Sequence, residues 1–308
     1  MEFLVRKVIL SLCPLRRMND ENEQASTPEK NQLPIGIFDS GVGGLTVYRA
    51  LHDRLPNEHF VYLGDTARVP YGTKSLATVE RYALENAQFL ATLGIKMLVV
   101  ACNTASALAL PAIRAHIGMD VVGVIGPGGR KAVDVAECDD PKIGVIATEA
   151  TVASNAYAEA ITRACGEAEV FQAACPLFVP LAEEGWTAEP ETRSIAEKYL
   201  APMRRFDPDA LVLGCTHYPI LRDVIRQTVG DDVQLIDSGE ATAEEVEKLL
   251  VAKGLANPNV VSGDRRLCDD LDHFYVTDAA DRFARVAERF LGAMPSKLEA
   301  IEVPPLKN

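Results

Sequence analysis

A chain of 308 residues with 48 per cent hydrophobic content can bury a large core and has the length of roughly two domains. Its formal net charge of −13, with no long basic run, argues against nucleic acid and anionic membrane as partners, because both demand a basic face. Seven scattered cysteines without a CxxC pair fit free thiols in a reducing cytoplasm rather than a disulfide framework, and no apolar run approaches the roughly 18 residues of a membrane span.

The chain opens on MEFLVRKVILSLCPLRR, a weak mimic of a signal peptide. Arg6 and Lys7 interrupt its apolar part and no small-residue cleavage site follows. The polar stretch after it has almost nothing to bury, so residues 1–33 read as a disordered extension, with Met18 an alternative start. From Pro34 the punctuation becomes regular. PIGIFD is a strand ending at Asp39-Ser40, and GVGG turns the backbone into a helix beginning near Leu45. HFVYLGD is the next strand and TARVPYG a loop. Leu76, Val79, Ala83, Leu84, Ala87 and Leu90 predict a helix over 75–93 that stops at Gly94. MLVVA leads to Cys102, ALALPAIRAHI is a helix kinked at Pro111, VVGVI is a fourth strand, and PGG closes the first half.

The second half repeats the alternation. KIGVIAT is a strand, Val152 to Ala164 a helix, and EVFQA a strand leading into CPLFVPLAEEG. A helix over 194–206, the strand ALVLG feeding Cys215 and a helix over 220–229 follow. VQLID, a Glu-rich helix through Val251, the strand HFYVT and a last helix with Phe283, Val286, Ala287 and Phe290 on one face complete the pattern. Strands alternating with helices of ten or so residues imply βαβ units and parallel sheets, an α/β fold.

Two stretches look alike. KMLVVACNTA and DALVLGCTHY each run from an apolar strand into a Cys and a Thr-containing turn, placing Cys102 and Cys215 at matched strand ends, one per half. In parallel α/β sheets ligands bind outside the carboxyl ends of the strands. Those ends hold Ser, Thr, Asn, Cys and carboxylates without Arg or Lys, which suits a small zwitterion better than a phosphate. A proton alpha to a carboxylate is weakly acidic, and one base cannot easily remove it from one face and return it to the other. Two facing thiols can, one as thiolate and one as thiol, with helix N-termini after both corners favouring the thiolates. Cys13, Cys138, Cys165, Cys175 and Cys268 read as packing thiols. His217, two residues after Cys215, is placed to tune that thiol.

These motifs taken together (FDSGVGGLT, YLGDTARVPYG, ACNTAS, GVIAT, CPLFVPL, GCTHYP and IDSG) resemble the glutamate racemase family, cofactor-independent enzymes that supply D-glutamate for bacterial peptidoglycan. The resemblance covers about Pro34 to Leu291. It implies two similar parallel-sheet α/β lobes related by pseudo-twofold symmetry with the active site between them: residues 34–126 plus 233–292 as the first lobe, 127–232 as the second, and 293–308 as a C-terminal tail. It implies that Cys102 and Cys215 are the acid/base thiols, Asp39 assisting the first, Glu183 and His217 the second. Asp39, Ser40, Tyr71, Gly72, Asn103, Thr104, Thr148, Thr151, Thr216 and His217 would line the glutamate site, with no metal and no cofactor. A cytoplasmic location is expected with it, and a homodimer is compatible with it. Aspartate racemisation, or silent amino-acid binding on the same fold, are the alternatives left open.

Overall fold

The computed structural model describes residues 29–136, 139–261 and 265–306. The expectations for residues 1–28, with Met18 and Cys13, and for Cys138 lie outside the described residues. Residues 29–33 do have a place: Lys30–Gln32 form a short 3-10 turn, and the buried Lys96 Nζ donates to Asn31 O at 2.6 Å.

The strands are β1 (Ile35–Asp39), β2 (Phe60–Gly64), β3 (Met97–Val100) and β4 (Asp120–Gly123), then β5 (Lys142–Ala147), β6 (Glu169–Ala174), β7 (Ala210–Gly214) and β8 (Gln234–Asp237), and finally β9 (His273–Val276) and β10 (Leu298–Ala300). They form two all-parallel sheets, β10-β9-β2-β1-β3-β4 and β6-β5-β7-β8. Within each lobe the first four strands take the same order, second-first-third-fourth, and in both the third strand ends at a cysteine. The matched stretches are therefore equivalent positions of one topology used twice.

β1, β2, β3 and β7 are buried along their whole length, as strands covered on both faces must be. Alternation still sorts their side chains. Ile35, Ile37, Met97 and Val99 join a core continuous with the second sheet, while Phe38, Leu98 and Val100 face a separate core.

The helices are α1 (Leu45–Arg54), α2 (Leu76–Thr92), α3 (Asn103–Leu108), α4 (Leu110–His116), α5 (Ile125–Ala136), α6 (Glu149–Ala153), α7 (Ala156–Ala164), α8 (Phe178–Glu184), α9 (Pro190–Phe206), α10 (Arg222–Val229), α11 (Ser238–Ala252) and α12 (Ala280–Leu291). None of them is long and apolar enough to cross a membrane.

Several expectations change. PGG does not close the first half but lies inside α5. Pro127 sits in the first turn, where its missing N–H costs nothing, and Gly129 lets α5 approach α7 so closely that a β-carbon there would lie 3.1 Å from Ala160 Cβ. The expected kink at Pro111 is a break at Ala109, with Pro111 in the first turn of α4, where its missing N–H costs no helical bond. The helix expected over 152–164 is two, divided at Asn155, whose left-handed φ of 56° Asn tolerates. VQLID, assigned to the first lobe, is β8 of the second sheet, where Leu235 and Ile236 pair with Leu211 and Val212. Leu298–Ala300, assigned to the tail, pairs with β9 as the edge strand of the first sheet.

Candidate active site

In the strand order shared by both lobes, the crevice opens where the chain leaves the first and third strands in opposite directions. Those ends carry Asp39-Ser40 and Cys102 in the first lobe, Thr148 and Cys215 in the second. They meet across a cavity of about 170 Å³ lined by Ser40, Tyr71, Gly72, Cys102, Asn103, Thr104, Thr148, Cys215, Thr216 and His217. Asp39, Thr151 and Glu183 stand behind this lining. Val69, Pro70, Thr73, Pro176, Val179 and Pro180 also line it and had no polar strand-end signal to mark them, and so does Glu149, which follows Thr148 at the end of β5 and was passed over.

Cys102 is the N-cap of α3, its Sγ accepting the Ala105 N–H at 3.4 Å and lying 3.6 Å from Ser40 Oγ. The expected lowering by a helix N-terminus does not prevail. Burial, and after it the negative charge of Asp39, pushes the thiol up to about 12 against those hydrogen bonds. No α-helix begins at Cys215: the chain makes a turn and a 3-10 segment, Tyr218–Leu221, before α10. A histidine replaces the helix there. Cys215 Sγ lies 3.8 Å from His217 Nδ1, and His217 Nε2 lies 3.1 Å from Glu183 Oε1. Burial opposes charge on the ring, but hydrogen bonds to Cys215 and Glu183 outweigh it and carry His217 up to about 10. Glu183 is held below the ordinary carboxylate range: its burial is outweighed by the His217 hydrogen bond and by the charges of His217 and Arg282. The Cys215 corner thus sets a histidine ring, biased toward its charged form, with Nδ1 facing the sulfur.

Asp39 links the two corners. Burial raises its carboxyl, while the charge of His217 and the backbone N–H groups of Gly44, Gly41 and Ser40 pull the other way. Oδ2 accepts from Gly41 at 3.0 Å, and Oδ1 is buried without a partner. Thr46 Oγ1 donates from the first lobe to Thr216 O at 2.9 Å.

Neutral groups complete the lining. Tyr157 Oη donates to Asn103 Oδ1 at 2.6 Å, which leaves the buried Asn103 Nδ2 unpaired, a donor free for a ligand carboxylate. Thr104, Thr148 and Thr151 form a closed ring of hydroxyls across the lobes, at 3.0, 3.0 and 3.3 Å. Tyr71 is fixed from behind: its hydroxyl bonds the buried Asp65, which also receives Arg68 Nε at 2.7 Å, Asn86 Nδ2 at 3.2 Å and Thr277 Oγ1 at 3.0 Å. Asp65 is therefore a brace for the 66–73 loop. Cys175 and Cys268 are buried in the core, their thiols pushed up to about 12 chiefly by burial, as packing thiols should be.

Residues 35–246 match the family model described as Asp/Glu/Hydantoin racemase, and the chain belongs to that family of isomerases. Its relatives narrow the kinship. It is 52% identical over 258 residues to a glutamate racemase of Geobacter metallireducens, covering 84% of this chain and 92% of that protein. The fold matches a glutamate racemase of Bacillus anthracis with a TM-score of 0.83 at 36% identity, covering 90% of this chain and all of that one. It matches the Francisella tularensis glutamate racemase, solved in complex with D-glutamate, with a TM-score of 0.79 at 38% identity, covering 89% and 98%.

Proposed function

We propose that this chain interconverts L- and D-glutamate by proton transfer between Cys102 and Cys215. The observation that carries the reading is the meeting of two thiols, from equivalent corners of two lobes, on one small cavity, with a histidine ring nitrogen 3.8 Å from one of them.

The thiolate of one cysteine takes the α proton and becomes a thiol; the electron pair passes into the substrate carboxylate as an enediolate-like carbanion. The other thiol then protonates that carbon from the opposite face and becomes the thiolate. No atom is gained or lost, and each turnover exchanges the two cysteines' states. His217, Glu183 and Asp39 are positioned to steady whichever charge each sulfur holds. The substrate ammonium would find the Asp39 carboxylate, and its carboxylates would find Asn103 Nδ2, the threonine hydroxyls and Ser40.

We further place the product in peptidoglycan synthesis and the enzyme in the cytoplasm, where free thiols persist. Cys102, Cys165, Cys175, Cys215 and Cys268 are all unpaired.

The test is incubation with L-glutamate in deuterated water, following optical rotation and α-deuterium together. Loss of rotation with deuterium in the D-isomer is the expected result. Binding of glutamate with neither change would make this a binding protein, and faster turnover of aspartate than of glutamate would reassign the substrate.

A further inference from the structure

Glu183 belongs to α8 of the second lobe, yet the groups that fix it come from α12, which packs on α1 and β10 of the first. Arg282 Nη2 donates to Glu183 Oε2 at 2.9 Å, on the carboxylate whose other oxygen faces His217. Arg289 Nη1 donates to Glu183 O at 2.7 Å. That carbonyl lies in the last turn of α8, where carbonyls lack helical partners, and Gly185, at φ +76°, ends the helix beside it. The rings of Phe290 and His217 meet nearly at right angles, with centroids 5.9 Å apart at 87°. Arg282 and Arg289 are seven positions apart in the sequence, so one face of α12 delivers both guanidinium groups.

We infer that α12 is a positioning element for the reaction, Arg282 and Arg289 holding Glu183 against His217 across the lobe boundary while Phe290 fixes the imidazole plane. This rests on the two-thiol reading and deepens it. None of the three lines the cavity, so they act through Glu183 and His217 rather than on the substrate. The consequence is mechanical. The Cys215 corner is fully assembled only while the two lobes are seated as seen here, and a lobe movement that withdraws α12 would release its proton donor.

The experiment uses the full-length enzyme carrying Arg282→Ala, Arg282→Lys, Arg289→Ala and the Arg282/Arg289 double alanine change, assayed in both directions with ordinary and α-deuterated glutamate. Arg282 is more than half exposed, so its single loss should lower kcat by about fivefold, with KM little changed. The double change should lower it by more than either single one, and lysine at 282 should recover most of the loss. Because only the Cys215 step is weakened, the deuterium isotope effect should grow for one enantiomer and stay constant for the other. Wild-type kcat in the double variant, or an equal growth of the isotope effect for both enantiomers, would overturn the inference. Failure of the underlying reading shows separately, as persistent racemisation in Cys215→Ala.

Discussion

Gly43 of the first lobe lies against His217 of the second so closely that a β-carbon on it would sit 2.5 Å from the imidazole Nδ1. That nitrogen is the one facing Cys215. The same β-carbon would lie 2.3 Å from Thr216 Oγ1, so Gly43→Ala must displace the glycine turn or both Thr216 and the histidine, at a cost of about 1–3 kcal/mol in stability. Activity should fall much further than the melting temperature, and activity close to wild type in this variant would show that the imidazole is not held where it is described.

Replacing either thiol should abolish racemisation without unfolding the chain. Cys102→Ala and Cys215→Ala should each lose about 10³-fold or more in kcat, the scale of a lost acid/base group. Both cysteines line the cavity as well as touching a core, so losing a single sulfur removes little packed volume and the circular dichroism melt should stay near that of the parent. Substantial racemisation in either variant would end the two-base account.

The charge on His217 is a function of pH with a defined sign. Its pKa is raised to about 10, so the imidazolium is present below that pH and is lost as pH rises through it. Glu183→Gln removes one cause of the raise. The alkaline limb of kcat/KM should then move to lower pH, toward the ordinary histidine range, while parent and variant converge in mildly acidic solution. A limb that stays in place after Glu183→Gln would sever Glu183 from the titration.

The Asp65 brace makes a prediction about binding. Arg68 bonds Asp65, Glu85 and Asn86, with its side chain 19% exposed and that of Asp65 fully buried. Arg68→Ala leaves the Asp65 charge without its main counter-ion, a loss of about 3 kcal/mol. The 66–73 loop carries Tyr71 and Gly72 into the cavity, so KM for glutamate should rise together with the fall in thermal stability.

Tyr157→Phe should act more narrowly. Losing the 2.6 Å hydrogen bond to Asn103 Oδ1 releases the amide from the orientation that presents Nδ2, worth about 1 kcal/mol and hence about fivefold in KM. A calorimetric titration with glutamate would read the same loss as weaker binding.

The two cysteine corners were legible because a buried parallel strand is written as an unbroken apolar run, and a thiol closing two such runs is a rare pattern. The shared strand order made that pattern structural. What escaped was set by distant contacts. α5 carries Pro127, Gly128 and Gly129, which locally read as a stop, but helix packing needs the small residue where α5 meets α7. β8 pairs with β7 rather than joining the first sheet, a choice of neighbour that its own four residues do not encode. Val69, Pro176 and Val179 line the cavity as apolar walls, and the Arg282 and Arg289 contacts depend on where α12 finally packs. Among the site residues, those carried by a strand end were visible in the pattern of the runs, whereas Tyr71, Gly72, Thr151 and Glu183, carried by a loop turn and by helices, were reached only through the family resemblance.

The ring of Thr104, Thr148 and Thr151 has one further consequence. A hydroxyl can donate or accept, and three of them in a closed circuit can turn their protons in either sense without any heavy atom moving. An amide or an ammonium offers no such choice. A site that must release a molecule as the mirror image of the one it received gains from a wall with no preferred polarity, since the two hands set the same polar groups at different places along it. The threonine circuit is such a wall: it can reverse its hydrogen-bond sense between the two hands of one ligand while the backbone that carries it stays still.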